Sequence, residues 1–276
     1  MWPTMTSSFS PPSLTQPDAL QPALQQQGYA VVAPALVCAM AAIPAPALQA
    51  WQGLWNDLPP DHYLRDGGRY RRRRHSCFTV SGDVVALVAH RPHWQSVEYN
   101  ALHGGMQRHF EPMDANMAAD AQWLRLLAWL GRECSALKGE QTWYTEAHQF
   151  RIDTTDGIGR PTPEGAHRDG VDLVAVFLVN RHAVKGGETR VFEADGPNGQ
   201  RFTLEEPWSL LLLDDARVIH ESTPIQPLAI VPPRSAAARV AAPRGGESSL
   251  GRPGGELSGY RDTLVVTLRA GGFQGV

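Results

Sequence analysis

The spacing of apolar residues predicts helices in the first half of the chain. Apolar residues recur at helical spacing over 48–58, between two pairs of prolines, and again over 123–137. Asp120 is placed to cap the second of these helices and Gly139 to end it. A shorter helix over 18–27 closes at Gly28 and leads into a strand, GYAVV.

The second half consists of short strand-like runs separated by turns such as KGGE, DGPNGQ and LDDA. These runs are TWYTEAHQFRI, DLVAVFLV, TRVF, RFTL, WSLLLL, RVIH and DTLVVTLRA. DLVAVFLV and WSLLLL are apolar at successive positions, which is typical of strands buried on both faces. The pattern predicts a mainly β fold with flanking helices, in which a double-sheet β-barrel carries the N-terminal helices on its outside.

The length of 276 residues is consistent with a single domain, which we expect over residues 18–276. Residues 1–17 are expected to form a flexible N-terminal tail. Residues 231–256 are poor in large apolar residues and rich in Ala, Gly, Pro, Arg and Ser, so they predict a low-complexity insertion. The insertion is either a lid over a substrate or an inert loop, and the low cost of long polar insertions favours the inert loop.

Composition excludes several classes of protein. A net charge of -3 argues against binding to nucleic acid, which needs a basic surplus. Cys38, Cys77 and Cys134 are too far apart for a thiolate zinc site and predict no disulfide framework. The N-terminus lacks a secretory signal pattern, and the uncharged run over 30–48 is broken by prolines. We therefore expect a cytoplasmic protein that binds neither membranes nor nucleic acid; its oligomeric state is not predicted.

The candidate chemistry begins with His167 and Asp169, two positions apart at the predicted start of a strand. Side chains at this spacing project from the same face of a strand. His220 follows the LDDA turn in a later strand pair and is placed to supply a third ligand from across the barrel. Two imidazoles and one carboxylate, with three positions left open, suit non-haem Fe(II) oxygenases. An isolated H-x-D is more often a polar turn, so the prediction depends on accompanying features.

Arg261 is the most informative accompanying feature. In GYRDTLVVTL, Arg261 and Thr263 would point to one face of a strand and Asp262 to the other. Without the insertion, Arg261 follows His220 by about a dozen residues, so adjacent strands can carry the two side chains. A buried guanidinium matches both oxygens of a carboxylate and keeps its charge, and Thr263 adds a hydroxyl donor. The pair predicts a site for a distal carboxylate.

The combination of these motifs resembles a known family. PTPEGAHRDGVD, GGET, LLDDARVIHESTPI and YRDTLVVTL are similar to segments of the bacterial 2-oxoglutarate/Fe(II) dioxygenases that hydroxylate free L-amino acids, a family that includes isoleucine dioxygenase. DGGRYRRRRHS, WQSVEYNALHGG and EAHQFRI resemble other segments of that family. The resemblance extends from about Gly28 to Leu268.

The resemblance implies a double-stranded β-helix, the jelly-roll core shared with cupins, with Fe(II) held by His167, Asp169 and His220. It also implies that 2-oxoglutarate, a co-substrate, meets Arg261 and Thr263 through its far carboxylate. The expected activity couples oxidative decarboxylation of 2-oxoglutarate, which releases succinate and CO2, to hydroxylation of a free L-amino acid or a close derivative by O2. The alternatives are a cupin-like metal oxygenase that does not use 2-oxoglutarate, and a non-catalytic small-molecule binding barrel.

Substrate-binding residues are predicted less directly. In the run YRRRRH, strand alternation would place Tyr70, Arg72 and Arg74 on one face, where they either meet an amino-acid carboxylate or form structural ion pairs. Asn100, in the loop YNALHGG, either approaches the pocket or belongs to a surface turn. Gln149, in EAHQFRI, either faces the cavity or forms a polar pair in the barrel wall.

Overall fold

The computed structural model describes residues 16–228 and 259–275. The predicted tail lies outside these ranges apart from its last two residues, and the insertion at 231–256 lies entirely outside them. The helices are Leu20–Gln27 (α1), Pro34–Ala41 (α2), Ala45–Gln52 (α3), Ala115–Ala119 (α4) and Ala121–Lys138 (α5). Single turns of 3-10 helix, Pro17–Ala19 and Gly53–Trp55, precede α1 and follow α3.

The strands account for every run predicted in the second half of the chain. They are Tyr29–Val32 (β1), Arg71–Ser81 (β2), Val84–Leu87 (β3), Trp143–Asp153 (β4), Leu173–His182 (β5), Val184–Gly186 (β6), Thr189–Glu193 (β7), Gly199–Phe202 (β8), Leu210–Asp214 (β9), Val218–Ser222 (β10), Ile225–Pro227 (β11) and Tyr260–Arg269 (β12). The hairpin of β2 and β3 lies in the first half, where the pattern predicts mainly helices.

The strands of the described ranges form three sheets. The large sheet has the order β1-β9-β5-β12-β4-β2-β3, a smaller sheet has the order β10-β7-β8, and β11 pairs with β6. All these pairings are antiparallel. β12, near the end of the chain, lies between β4 and β5. This arrangement is the double-stranded β-helix, so the prediction of a mainly β barrel with flanking helices is confirmed.

The helices cover one face of the large sheet. Asp120 caps α5 as predicted, because its side chain accepts the backbone N–H of Gln122. The interface between helices and sheet is one apolar core that includes the tryptophan side chains Trp51, Trp55, Trp123 and Trp208. On the sheet side, Ala147, Phe177 and Leu264 contribute to the same core. On the strands of this sheet, every second residue therefore packs against the helices.

The opposite face of the large sheet meets the smaller sheet. Val174 of β5 and Leu211 of β9 belong to a second core with Val191 and Val218 of the smaller sheet. β5 and β9 are therefore buried on both faces, as their continuous apolar runs predict. The interior of the barrel beyond this core is lined by polar residues of β2, β4 and β12.

Among the described residues, no single helix is long and apolar enough to cross a membrane. Pro34–Ala41 and Ala45–Trp55 together reach that length and composition, but they are bent by 113° relative to each other.

Trp55 ties the helical layer to the centre of the large sheet. Its indole Nε1 donates to the carbonyl oxygens of Phe150 and Thr263, each at 3.1 Å. These two residues are paired across β4 and β12. The register of β12 against β5 shifts between Asp262 and Thr263, so Trp55 binds the backbone where β12 is irregular.

We expect Trp55→Phe to destabilise the protein more than Trp123→Phe. Both side chains are fully buried, but the indole N–H of Trp123 has no acceptor among the described residues. Both replacements leave a similar void, whereas only Trp55→Phe deprives buried carbonyls of a donor, which costs about 1–3 kcal/mol. Urea unfolding of the two variants measures the difference. Equal losses of unfolding free energy would show that the Trp55 hydrogen bonds contribute nothing.

Candidate active site

A cavity lies inside the barrel, against the face of the large sheet that the helices leave free. On each strand that lines the cavity, the lining residues are two positions apart. β2 supplies Arg71 and Arg73, β4 supplies Glu146, His148, Phe150 and Ile152, and β12 supplies Arg261, Thr263, Val265 and Thr267. Strand alternation therefore concentrates charged and hydrogen-bonding side chains in one enclosed space.

His167 and His220 are brought together by their own backbones. The N–H of each residue donates to the carbonyl of the other, at 3.1 Å and 2.9 Å. His167 belongs to the segment before β5, not to the strand itself, and this isolated bridge attaches that segment to β10. Because paired residues project on the same side, the two rings lie beside each other, with centroids 4.7 Å apart.

Asp169 completes the group. One of its carboxylate oxygens lies 3.6 Å from Nε2 of His167, and the other lies 3.9 Å from Nε2 of His220. These separations exceed hydrogen-bond length, and ligands of one ion at metal–ligand distances of about 2.1 Å lie roughly 3 Å or more apart. The three predicted ligands thus surround a common point with the spacing that a metal ion requires.

The environment of the imidazoles also fits a metal. Nδ1 of His167 lies 2.9 Å from the carbonyl oxygen of Gly165. That contact selects the tautomer with the proton on Nδ1, so Nε2 presents its lone pair toward Asp169. A backbone carbonyl in this position is a common orienting partner of metal-bound histidine.

The electrostatics of the group favour a positive charge at its centre. Burial opposes protonation of His167, but the nearby Asp169 carboxylate outweighs it and raises the pKa of His167 to about 10. Burial, together with His167, lowers the pKa of His220 to about 4. Although burial acts in the other direction, His167 holds the pKa of Asp169 below its usual range. A proton on His167 or a metal cation supplies the charge that the carboxylate requires.

Asp215 holds the loop that carries Asp169. Its carboxylate accepts the backbone N–H groups of Asp169 at 3.0 Å, Gly170 at 2.7 Å and Val171 at 3.1 Å. Burial and the nearby charge of Asp169 raise the pKa of Asp215 to about 6. Sequence analysis did not identify this residue, although it lies in the LDDA turn that precedes His220.

Arg261 and Thr263 lie on the cavity wall, and Asp262 faces the helices, where it pairs with Arg151 at 2.7 Å. Arg261 is buried, and no carboxylate of the described residues lies within 4.0 Å of its guanidinium. Burial lowers its pKa to about 10, so the side chain remains charged at neutral pH. A buried cation without an anion is costly, and a carboxylate ligand would remove that cost.

The structure brings only Asn100 of the predicted substrate residues to the cavity. Its amide donates to Oε1 of Gln95 at 3.2 Å, and Nε2 of Gln95 donates to Asp169 at 3.2 Å. Asn100 is therefore linked to the iron-ligand candidates through one intervening side chain.

The predictions that Tyr70, Arg72, Arg74 and Gln149 face the cavity are wrong. Tyr70 packs beside β4 and donates to Asp66, and Arg72 pairs with Asp153 outside the cavity. Arg74 binds the carbonyl of Pro112, and Gln149 lies against Met117 of α4. Arg72, Arg74 and Gln149 lie on the sheet face opposite the cavity, where Arg74 is bound by loop carbonyls, Gln149 by α4, and Arg72 is partly exposed. Arg71 and Arg73 occupy the cavity face instead.

Sequence analysis also missed a second group of potential ligands. His75, His93, Glu146 and His148 are buried, and each offers a donor atom within 4.8 Å of the others. Residue types such as these could hold an iron ion. β2 and β4 pair His75 directly with His148. The sequence shows glutamate and histidine at alternate positions of one segment and histidine on another, but only the folded sheet shows that these two segments, β4 and β2, pair with each other.

Comparisons with known proteins agree with this geometry. Residues 52–236 match the 2OG-Fe dioxygenase family. A crystal structure of a bsmA homolog from Methylobium petroleophilum PM1 is 46% identical, with a TM-score of 0.82 over 95% of this chain and 96% of that chain. IDO from Bacillus thuringiensis is 15% identical, with a TM-score of 0.65 over 95% and 98% of the two chains, and shares the fold. No curated protein sequence matches significantly.

The chain therefore belongs to the 2OG-Fe dioxygenase family. The cofactors of that family are Fe(II) and 2-oxoglutarate, as predicted.

We expect Asp215→Asn to weaken Fe(II) binding. An amide offers one acceptor oxygen in place of two, so at least one N–H of the Asp169 loop loses its partner and the ligand loses its orientation. Loss of such an orienting group typically costs about 10–100-fold in metal affinity. Anaerobic Fe(II) titration measures the effect, with Asp83→Asn, at an 84% exposed side chain, as the matched control. An unchanged affinity in Asp215→Asn would contradict the orienting role.

Proposed function

We propose that this chain hydroxylates a free L-amino acid or a close derivative, with Fe(II) held by His167, Asp169 and His220 and with 2-oxoglutarate and O2 as co-substrates. The family supplies the reaction class, and the proposal adds the residues and the substrate class. The observation that carries the substrate class is the buried guanidinium of Arg108 in the cavity, which has no carboxylate oxygen of the described residues within 4.0 Å.

The triad supports the metal assignment because its two imidazoles and one carboxylate leave open positions for oxygen and a co-substrate. Bound Fe(II) supplies the activation of O2 in this chemistry. The residues of the chain orient the reactants: His167 is held by Gly165, and Asp169 by Asp215 and Gln95.

Arg261 and Thr263 support the assignment of 2-oxoglutarate. The guanidinium is buried and charged, no carboxylate of the described part of the chain lies within 4.0 Å of it, and the two side chains share the cavity face of β12. A fork of N–H donors suits the two oxygens of the distal carboxylate, and the Thr263 hydroxyl is a further donor. Ser222 of β10 lines the same cavity.

Arg108 is the second buried arginine of the cavity with no carboxylate oxygen of the described residues within 4.0 Å, and Asp61, Glu164 and Glu146 act on its charge only from farther away. Arg71 and Arg73, by contrast, share Asp61, at 2.7 Å and 4.0 Å. Nη2 of Arg108 donates to Oε1 of Gln95 at 2.9 Å, and Gln95 in turn contacts Asp169. With Arg261 assigned to 2-oxoglutarate, Arg108 requires another anion close to the iron ligands. The carboxylate of an amino acid meets that requirement.

The direct test is a panel of free and N-substituted amino acids, with each product examined by mass for the gain of one oxygen and with succinate measured in parallel. We expect at least one free aliphatic amino acid to gain oxygen and to stimulate succinate release. If no amino acid raises succinate above the uncoupled background, the proposed substrate class is wrong.

We expect Arg261→Ala to weaken 2-oxoglutarate binding strongly, because the buried charge that the distal carboxylate needs is removed. Anaerobic addition of Fe(II) and 2-oxoglutarate should give a weak visible charge-transfer band in the wild type. The variant should need far more 2-oxoglutarate to produce the same band. A band that forms equally well in Arg261→Ala would exclude this residue from the co-substrate site.

We expect Arg108→Met to raise the KM for the amino acid, because loss of one partner of a buried charge pair costs about 2–5 kcal/mol. The concentration of 2-oxoglutarate that produces half of the visible band should change little. Arg72→Met is the matched control, since Arg72 lies outside the cavity and is 41% exposed. Equal effects of the two substitutions would show that Arg108 has no particular role in substrate binding.

A further inference from the structure

Glu146 is a buried carboxylate without a permanently charged partner. No arginine or lysine nitrogen of the described residues lies within 4.0 Å of it; its close neighbours are imidazoles. Nε2 of His75 lies 3.1 Å, Nδ1 of His93 2.5 Å and Nε2 of His148 3.6 Å from the same oxygen, Oε2. The other oxygen, Oε1, accepts no hydrogen bond from the described residues, and Glu146 lines the cavity.

The surrounding imidazoles are neutral at physiological pH, so they do not neutralise the carboxylate. Burial lowers the pKa of His93 to about 4 and lowers the pKa of His75 and His148 as well. Burial acts against ionisation of Glu146, but the contacts with His93 and His75 outweigh it and lower the pKa of Glu146 below its usual range. The carboxylate is therefore ionised, and the arginines that act on its charge, Arg73 and Arg108, do so from more than 4.0 Å away.

The spacing of this group differs from that of the iron-ligand candidates. Contacts of 2.5 Å and 3.1 Å to one oxygen are hydrogen bonds, whereas the corresponding separations around Asp169 are 3.6 Å and 3.9 Å. Ligands that share one ion cannot approach as closely as 2.5 Å, since metal–ligand bonds of about 2.1 Å place them roughly 3 Å or more apart.

The tautomer of His148 leads to the same conclusion. Nη2 of Arg73 lies 2.8 Å from Nδ1 of His148. A guanidinium can only donate, so Nδ1 accepts and the proton resides on Nε2, the nitrogen that faces Glu146. Nε2 of His148 then has no lone pair for a metal. The group is better described as a carboxylate held by N–H donors.

We propose that Oε1 of Glu146 binds the ammonium group of the substrate, so that Glu146 and Arg108 together recognise an amino-acid zwitterion. This inference rests on the proposed function and sharpens it: the substrate carries a free, positively charged amine. An ammonium ion supplies both the missing counter-charge and a donor for the open oxygen. The hydrogen bonds from His75 and His93 hold the carboxylate in position, and their neutrality leaves its charge available to the ligand.

The test compares amino acids with the 2-hydroxy acids of the same side chain. L-valine, L-leucine and L-isoleucine and their hydroxy counterparts are titrated anaerobically into the protein with Fe(II) and 2-oxoglutarate, and the change in the visible band reports binding. We expect the wild type to prefer the amino acid. Glu146→Gln should lose on the order of 30-fold in amino-acid affinity, with little change for the hydroxy acid, because only the ammonium loses a buried charge partner.

A purely structural role for Glu146 would weaken both ligand classes equally. Glu146→Asp retains the charge and is expected to restore part of the preference. Glu140→Gln is the matched control, because it makes the same chemical change at an exposed position just before β4. The comparison in the wild type needs no variant, so an equal affinity for the two ligand classes would overturn the inference even if Glu146→Gln does not fold.

Three kinds of result would overturn the inference, and each kind has a different consequence for the proposed function. An equal affinity of the wild type for amino and hydroxy acids, or an unchanged preference in Glu146→Gln, removes the ammonium site and leaves the proposed function intact. Failure of every amino acid to bind while the Arg261-dependent band persists removes the proposed substrate class as well. Two metal equivalents in the purified protein, one of them lost in His93→Ala, would identify the group around Glu146 as a metal site.

Discussion

The candidate active site depends on one pair of backbone hydrogen bonds, between His167 and His220. These bonds attach the segment before β5 to β10, so they set two imidazoles side by side and carry Asp169 into the same space. The Asp215 carboxylate fixes the Asp169 loop by accepting a hydrogen bond from its backbone. Side chains on long flexible segments could not keep this spacing, whereas a backbone bridge anchored on β10 does so.

The cavity also contains buried charged side chains that lack a close opposite charge among the described residues. Arg261, Arg108 and Glu146 are all buried, and charges in a medium of low polarity are costly unless a counter-charge is close. Arg71 and Arg73 show the alternative, because they share Asp61. Among the described residues, Arg261 and Arg108 have no carboxylate oxygen within 4.0 Å, and Glu146 has no arginine or lysine nitrogen within that distance, so the cavity suits a diacid together with a zwitterion. The substrate class is therefore proposed from charge balance.

Alternation along the strands explains both the successes and the errors of sequence analysis. A period of two places Arg261 and Thr263 on one face of β12, as predicted, because the period is a local property of extended backbone. The same rule separates Arg71 and Arg73 from Arg72 and Tyr70, but it does not say which set faces the cavity. That choice is made by the helices, which bury one face of the large sheet under an apolar core.

The sequence by itself determined the elements and the family. Apolar periodicity and capping residues are local, so they predicted α5, its cap at Asp120, and the strands from β4 onward except the short β6 and β11. Motif residues and their resemblance to known dioxygenases predicted the cofactors. Only the tertiary structure decided which side of β2 and β4 meets the cavity, and which distant residues meet there. Glu146 and His93 contact each other only because sheet pairing and loop packing join separate segments, and no local pattern records such contacts.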